Sequence, residues 1–243
     1  MDRFVAPYDA IAEWYDAYLD GSLYEELILP SLLDLAGDVR DQRVLDLACG
    51  QGWIARELSK RKAIVTGIDI SLKLLAVAQR YESAEPLGVT YIHDDAQSLR
   101  RLDGTQFDGV ICNMALMDIP DAPATFCAAR RVLRDNGWLI FSITHPCFEV
   151  PGAAWVTRED DTVAREVAGY FTECFWRSDN PQGVRGKVGA HHRTLATYLN
   201  ALAAAGFCLE QAQEPRATGR RARQVPGNEE VPSMMLIRAK AEG

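Results

Sequence analysis

Short apolar runs alternate with amphipathic segments along the middle of this chain, and this alternation constrains the fold more than any other feature. The apolar runs predict five β-strands, at residues 44–48, 64–70, 89–93, 107–113 and 138–144. Between them, residues 53–60, 71–80 and 121–134 repeat apolar side chains at helical spacing, with Ser71 and Asp121 as suitable N-caps. Strands separated by helices pair in parallel and are covered on both faces, so we predict an α/β fold with a mostly parallel sheet.

Regular patterns also flank this central part. Two helices are predicted before it, at residues 8–20 and 22–36, and Gly37 suits the C-cap of the second. After it, we expect a helix at 194–205 and two last strands at 207–211 and 234–239. A long polar loop joins these two strands and contains four arginines, Arg216, Arg220, Arg221 and Arg223.

Residues 146–190 interrupt the regular pattern. They are rich in aromatic and charged residues, glycine and proline, and they are too many for a simple connection. We therefore predict an inserted region that covers a substrate. The chain then divides into an N-terminal helical cap at 1–40, a ligand-binding core at 41–145, this insertion, and a C-terminal helix with the last two core strands at 191–243.

A turn with two glycines follows the first predicted strand. Gly50 and Gly52 let a ligand approach the backbone without a Cβ clash, and the helix behind the turn offers free N–H groups. Asp46 precedes the turn and can accept hydrogen bonds from loop N–H groups or from a ligand amine. Asp69 ends the second strand, where a carboxylate can accept both hydroxyls of a ribose or cap the next helix. Although an ordinary strand–helix turn also contains glycines, the combination favours a nucleoside-containing ligand.

Further motifs follow in a characteristic order. They are DLACGQG at 46–52, the acid Asp69, the pair Asp95–Ala96, FDGVICNMALMDIPD at 107–121 and RVLRDNGWLIFSITHPCF at 131–148. In this order and spacing the chain resembles the S-adenosylmethionine-dependent methyltransferases with a Rossmann-like fold, particularly their bacterial small-molecule branch. The resemblance covers residues 8–145 well and 190–239 more loosely. It implies a seven-stranded Rossmann-like sheet with helices on both faces, S-adenosylmethionine as cofactor and a small organic methyl acceptor.

The resemblance also implies roles for individual residues. Those expected to contact the cofactor are Tyr15, Asp46, Ala48, Gly50, Gly52, Asp69, Ile70, Asp95, Ala96, Asn113 and Met114. Among them, Asp69 would hold the ribose, Asp95 would bind the adenine amino group, and Asn113 would lie below the sulfonium. Tyr8 and Tyr15 either contact the carboxylate or sulfonium of the cofactor or belong to an amphipathic core.

Histidines at the carboxyl edge of the sheet are the candidate bases. Displacement at a sulfonium needs proximity and orientation, and a phenol or alcohol acceptor also gains from proton removal. His145 follows the fifth strand directly, and His192 takes the place of the family's histidine before the late helix, with capping as the alternative role. His191 stands where an aromatic residue is more usual. We predict His145 and His192 as catalytic residues and oxygen as the acceptor atom.

Five aromatic residues of the insertion either line an apolar acceptor pocket or anchor the insertion itself. They are Trp155, Tyr170, Phe171, Phe175 and Trp176. A pocket of this kind suits a planar organic molecule.

Charge and motifs disfavour other function classes. The net charge of −8 argues against a nucleic-acid partner, and the loop after the fourth strand lacks the prolines of base-nitrogen methyltransferases. Ala48 at the first position of the glycine motif disfavours a dehydrogenase. We expect O-methylation of a small molecule in secondary metabolism. N- or C-methylation, RNA methylation and a non-catalytic cofactor-binding protein remain alternatives.

Six cysteines are present without any CxxC pair, so we expect buried free thiols and no metal site. The N-terminus has early acids and no long apolar run, and no stretch of the chain is apolar enough for a membrane span. We therefore expect a cytoplasmic monomer or homodimer with no membrane partner.

Overall fold

The computed structural model describes residues 6–19, 23–225 and 227–243. The N-terminal part contains a 3₁₀ turn at Pro7–Ala10 and two helices, α1 (Ala12–Leu19) and α2 (Leu23–Ala36). Gly37 follows α2 with φ +67°, which is the left-handed conformation expected of a C-cap glycine. The predicted helix ends at 20 and 22 lie outside the described residues.

The central part alternates strands and helices as predicted. Its elements are β1 (Arg43–Leu47), α3 (Trp53–Lys60), β2 (Ile64–Asp69), α4 (Leu72–Ala84), β3 (Thr90–His93), β4 (Phe107–Asn113), α5 (Ala122–Val132) and β5 (Leu133–Thr144). Both predicted N-caps are confirmed. Ser71 Oγ accepts a hydrogen bond from the Leu74 N–H, and Asp121 Oδ1 accepts one from the Ala124 N–H. The predicted helix end at 134 is wrong, because β5 begins at Leu133 and pairs there with Phe107 of β4.

The inserted region forms two small antiparallel strand pairs and one short helix. Its elements are β6 (Ala154–Thr157), β7 (Val163–Glu166), β8 (Cys174–Trp176), the short helix α6 (Val184–Val188) and β9 (Ala190–His192). The strands pair antiparallel as β6–β7 and β8–β9. Because β9 spans Ala190–His192, it crosses the predicted boundary between the insertion and the C-terminal part.

The C-terminal part adds a helix and the last two core strands, as predicted. Its elements are α7 (Leu195–Ala204), β10 (Phe207–Gln213), α8 (Gly219–Gln224) and β11 (Met234–Ala241). The predicted arginine-rich loop between the strands is therefore partly helical, since α8 occupies its middle.

Seven strands form one sheet in the order β10–β11–β5–β4–β1–β2–β3. Strands β1 to β5 pair in parallel, and β11 is antiparallel to both of its neighbours. One buried cluster joins the sheet to α5 and α7, and a second joins it to α2 and α3, so helices cover both faces. The predicted α/β fold with a mostly parallel seven-stranded sheet is confirmed.

The cysteine prediction holds for only part of the set. Cys49 and Cys112 are buried, and all six cysteines are free thiols. Burial is wrong for three of them, because Cys127, Cys174 and Cys208 lie on exposed positions of α5, β8 and the edge strand β10. Within the described residues, every helix is too short or too polar to cross a bilayer.

Candidate functional site

A cavity with two adjoining compartments opens at the carboxyl ends of β1, β2 and β4. The compartments measure about 320 and 410 Å³, and residues from the N-terminal segment, the first glycine turn and the end of β4 line both of them. These shared residues are Tyr8, Tyr15, Ala48, Gly50, Asn113 and Met114. In an open parallel sheet, this edge is where a ligand is expected.

The turn after β1 places backbone with small or absent side chains at the cavity wall. Ala48 and Gly50 both have positive φ, +58° and +56°, and both line the two compartments. Gly52 does not line either compartment, although it was predicted to do so. A Cβ on Gly52 would lie 2.3 Å from the Tyr91 hydroxyl oxygen, so this glycine makes room for the half-buried Tyr91 side chain instead of a ligand.

Asp46 carries a buried oxygen that has no partner among the described residues. Its side chain is almost fully buried at the wall of the smaller compartment, and Oδ2 makes no hydrogen bond. Burial raises the pKa of this carboxyl to about 7, against the lowering effect of the Ala55 N–H. The carboxyl thus has one backbone partner and one unpaired oxygen, and a cationic or N–H-bearing ligand could supply the missing partner of that oxygen.

Asp69 organises the larger compartment. Its Oδ2 accepts a hydrogen bond from the Gly50 N–H at 2.9 Å, and its Oδ1 accepts one from the Ser71 N–H at 2.7 Å. Burial raises its pKa to about 6, although both N–H groups oppose this. Because each carboxylate oxygen retains a lone pair, Asp69 can also accept hydrogen bonds from a diol at this wall.

The far side of the larger compartment lies at the end of β3. Asp95 and Ala96 line it together with Ile70, which follows β2. The Asp95 carboxylate accepts hydrogen bonds from the backbone and side chain of Gln97, which fix its orientation. This wall combines one carboxylate with small apolar side chains, as a planar heterocycle with an amino group would need.

The end of β4 forms the floor between the compartments. Asn113 Oδ1 accepts a hydrogen bond from the Ser142 hydroxyl at 2.7 Å, which holds the amide in place. Met114 has φ +52° although it is not a glycine, and its N–H is bonded to Ser142. This conformation costs a non-glycine residue about 1 kcal/mol or more, and the hydrogen bonds to Ser142 hold it in place.

The N-terminal segment covers the cavity. Tyr8 and Tyr15 meet edge to face with ring centroids 5.0 Å apart, and both line the two compartments. The Tyr8 hydroxyl donates a hydrogen bond to Asp118, which also pairs with Arg185 of α6. The cap, the core and the insertion therefore meet at this cluster.

The structure does not bring His145 to the cavity. Its ring is buried, Nε2 donates to Glu214 Oε1 at 2.7 Å, and Nδ1 accepts from the Cys147 N–H at 3.2 Å. Both ring nitrogens are therefore occupied, and the ring faces the loop after β10 instead of a ligand.

His192 is also engaged in a structural contact. It lines a small side cavity of about 70 Å³, but its Nε2 donates to the Tyr170 carbonyl at 2.8 Å and the ring is buried. The adjacent His191 reaches the larger compartment, which was not predicted. Since successive residues of a strand face opposite sides, either histidine could have faced the cavity on sequence evidence alone.

Two of the five aromatic residues of the insertion face the cavity. Trp176 lines the smaller compartment and Phe175 the larger one. Trp155 instead packs against Arg165, and Phe171 is 88% exposed. The hydroxyl of Tyr170 accepts a hydrogen bond from the Leu195 N–H, so this ring anchors the insertion to α7.

Comparison with known proteins agrees with this geometry. Residues 45–141 match the family model described as "Methyltransferase domain". The crystal structure of an S-adenosylmethionine dependent methyltransferase from Mesorhizobium loti superposes with a TM-score of 0.74 at 28% identity, over 91% of this chain and 99% of that chain. Residues 45–141 are thus a methyltransferase domain, and the whole chain has S-adenosylmethionine-dependent methyltransferases as structural neighbours. S-adenosylmethionine is the cofactor of these methyltransferases, as predicted.

Curated relatives of this chain match over part of their length. The ubiquinone biosynthesis O-methyltransferase of Alkalilimnicola ehrlichii is 33% identical over 146 residues, which are 58% of this chain and 59% of that protein. The enzyme of the same name from Serratia proteamaculans is 29% identical over 144 residues, 57% of this chain and 59% of that protein. The chain thus spans about three fifths of the length of these relatives.

The walls of the cavity fit an adenosyl sulfonium cofactor. All residues predicted to contact it, except Gly52, line the two compartments. The unpaired oxygen of Asp46 lies beside the glycine turn, and the Asp69 and Asp95 carboxylates line the larger compartment. Within the part of the chain that the structure describes, no group of three or more His, Cys, Asp and Glu side chains could hold a metal ion.

Proposed function

We propose that this protein transfers a methyl group from S-adenosylmethionine to an oxygen atom of a small organic acceptor. The observation that carries the proposal is the two-compartment cavity with the unpaired buried oxygen of Asp46 at its wall. The larger compartment would hold the adenosine part, with Asp69 at the ribose and Asp95 at the adenine amino group. Asp46 would bind the amino group of the methionine part from the smaller compartment.

The cofactor supplies an electrophilic methyl group, and the protein supplies position and orientation. Asn113 and Met114 line both compartments, so they lie where adenosine and methionine parts would join. The strained backbone at Met114 and the Ser142 hydrogen bonds fix this floor. Closure of the N-terminal segment through Tyr8 would exclude water from the reacting atoms.

The acceptor would enter beneath the insertion, where the smaller compartment adjoins the small side cavity lined by His191 and His192. This wall presents Thr144, Trp176, Ser178 and Arg185, which combine an aromatic face with a few polar groups. Such a surface suits a planar organic molecule with hydroxyl substituents. Oxygen as the acceptor atom is further supported by the relatives named ubiquinone biosynthesis O-methyltransferase. A place in secondary metabolism, cytoplasmic location and a monomeric or dimeric state stay predictions.

Calorimetry with S-adenosylmethionine, followed by assays on phenols, alcohols and amines, tests the proposal. We expect S-adenosylmethionine to bind with a dissociation constant between micromolar and millimolar. Its affinity should fall at least tenfold in Asp69→Asn. A hydroxyl-bearing acceptor should yield methylated product. Asp108→Asn is the matched control, because Asp108 also accepts a backbone N–H, at 2.7 Å from Arg43, but does not line the cavity. Absence of cofactor binding, or equal binding in both variants, would contradict the proposed site. Turnover of amines alone would contradict oxygen as the acceptor atom.

A further inference from the structure

His191 differs from the other three histidines of the chain in the freedom of its ring. His93, His145 and His192 each make a ring hydrogen bond, to Ile70 O, Glu214 and Tyr170 O respectively. Among the described residues, the His191 ring has no hydrogen-bond partner, and it is only partly buried at the cavity wall. A histidine that faces a cavity with both ring nitrogens available can exchange a proton with a bound molecule.

A backbone hydrogen bond fixes His191 beside the carboxyl edge of the sheet, where β4 ends. Its N–H donates a hydrogen bond to the Met117 carbonyl at 2.7 Å, so β9 is held against the loop that follows β4. That same loop begins with Met114, which lies at the floor between the two compartments. His191 borders both the larger compartment and the small side cavity, and this side cavity shares Thr144, Trp176 and Arg185 with the smaller compartment.

The ring orientation of His191 is fixed by packing. Phe175 lies opposite His191 in the β8–β9 pair, and the two rings meet edge to face at 5.1 Å between centroids. This packing holds the ring without using either nitrogen. The family resemblance places an aromatic residue at this position, so the imidazole is a departure from the pattern that adds proton-transfer chemistry to an otherwise similar packing site.

We infer that His191 is the general base that removes the proton from the hydroxyl group of the methyl acceptor. The inference rests on the proposed function. A ring nitrogen of His191 takes the hydroxyl proton, and the acceptor oxygen forms the new bond to the methyl carbon. The electron pair of the broken bond stays with the sulfur that carried the methyl group. The imidazolium then returns its proton to solvent.

The electrostatics of the cavity keep His191 neutral and able to accept a proton. Burial lowers its pKa, and the positive charge of Arg193 lowers it further. The charged and titratable groups of the insertion, the β4–α5 loop and the segment after β9 that line the same cavities are Asp118, Glu149, Arg177, Arg185, His192 and Arg193. Asp69 and Asp95 also line the larger compartment, so the arginines do not outnumber the carboxylates, and the lowered pKa of His191 is due to burial and to Arg193.

His191→Phe is the decisive variant, because it keeps a ring against Phe175 and removes both nitrogens. We expect wild-type turnover of catechol near neutral pH to exceed that of His191→Phe by about 100-fold. With 4-nitrocatechol at alkaline pH, the turnover of His191→Phe should be less than about tenfold below that of wild type, because that acceptor is already ionised and needs no base. Affinity for S-adenosylmethionine, measured by calorimetry, should fall much less than turnover, by less than about tenfold, because His191 also lines the larger compartment. An equal deficit on both acceptors would show a structural role and overturn the inference.

Histidine ring NMR gives a second readout that does not need turnover. The His191 ring signal, assigned by its loss in His191→Phe, should titrate below 6.5 in the wild-type protein. It should shift when catechol is added together with S-adenosylhomocysteine. An unshifted ring signal, or cofactor binding without methylation of either catechol, would overturn the assignment of His191 as the general base. Loss of cofactor binding itself would instead count against the proposed function.

Discussion

The Tyr8 hydroxyl donates a hydrogen bond to Asp118 Oδ2 over 3.2 Å and thereby ties the N-terminal segment to the loop after β4. The same carboxylate pairs with Arg185 of the insertion. Burial raises the pKa of Asp118 even though Arg185 opposes this, and burial together with the Asp118 charge raises the pKa of Tyr8. The three parts that surround the cavity thus share one partly buried polar cluster, and the cluster should control how tightly the cavity closes.

Tyr8→Phe should loosen the N-terminal segment while the core stays folded. The lost hydrogen bond to a carboxylate contributes about 1 kcal/mol, so amide exchange in residues 6–19 should accelerate by about fivefold. Cofactor affinity should fall by a similar factor, because the segment covers the cavity. Hydrogen-exchange mass spectrometry and calorimetry measure the two effects.

Tyr81→Phe is the control for this prediction. It removes an exposed hydroxyl contact from α4 to Asp16 of α1, at 3.1 Å, away from the cavity. Exposed contacts contribute less, so we expect less than a twofold change. Equal effects in the two variants would contradict a special role for the partly buried cluster.

The central fold could be predicted from sequence because its signals are local. Ser71 and Asp121 cap their helices through side chains only three residues from the N–H groups they bind. The buried strands β1 and β4 are short apolar runs, which periodicity finds directly. Strands β8 and β9 have three residues each and gain their stability from pairing with each other, across a gap that no local pattern signals.

Only those site residues could be predicted whose place in the fold follows from their position at the end of a strand. Asp46, Asp69 and Asn113 line the cavity because parallel strands bring their carboxyl ends to one edge. Side-chain direction beyond a strand end depends on distant partners. His145 turns away because Glu214, 69 positions later in the chain, binds its ring. Gly52 faces Tyr91 of β3 for a comparable reason.

The free energy of unfolding should depend on pH because the buried carboxyl of Asp46 ionises. Its folded pKa of about 7 lies above the value of 3.8 expected in the unfolded chain, so the folded state holds the extra proton between these values. The contribution of Asp46 to the free energy of unfolding is therefore fully present below pH 3.8, falls as the pH rises, and is lost above 7. Asp46→Asn, which cannot ionise, should lack this loss. Urea unfolding across this range should show wild type falling relative to the variant, by about 4 kcal/mol.

The same carboxyl should make cofactor binding pH-dependent. A cationic ligand favours the ionised form of Asp46, so affinity for S-adenosylmethionine should rise as the pH increases through about 7 and then level off. Asp46→Asn should bind at least tenfold more weakly above this pH, with a flatter profile. Calorimetry at several pH values measures both quantities. A variant that keeps the wild-type profile would exclude Asp46 as the partner of the cationic group.

Gly52→Ala should destabilise the protein mainly through contact with Tyr91. The new Cβ would lie 2.3 Å from the Tyr91 hydroxyl oxygen and 2.7 Å from the ring, in a backbone with φ +77°. Gly104→Ala is a matched control, because Gly104 has the same φ and a Cβ added there would have no atom within 4 Å. We expect losses in the free energy of unfolding of about 3 kcal/mol or more for Gly52→Ala and about 1 kcal/mol for Gly104→Ala. Equal losses would mean that backbone strain alone, without the contact to Tyr91, explains the need for glycine at position 52.

Arg193→Lys should destabilise the loop that forms the cavity floor. The buried guanidinium donates hydrogen bonds to the carbonyls of Leu116, Ile119 and Pro120, at 3.0, 2.7 and 2.6 Å. A lysine keeps the charge but cannot reach three carbonyls with the same planar fork, so we expect a loss of about 2 kcal/mol in the free energy of unfolding.

The control is an arginine whose contacts are exposed. Arg134→Lys alters an exposed pair with Asp108 and should cost less than about 0.5 kcal/mol. Urea unfolding of both variants measures the difference. Cofactor affinity should also fall in Arg193→Lys alone, because the loop held by Arg193 carries Ala115 and Ile119 of the larger compartment. Equal stability of the two variants would show that the three carbonyl contacts do not hold the floor in place.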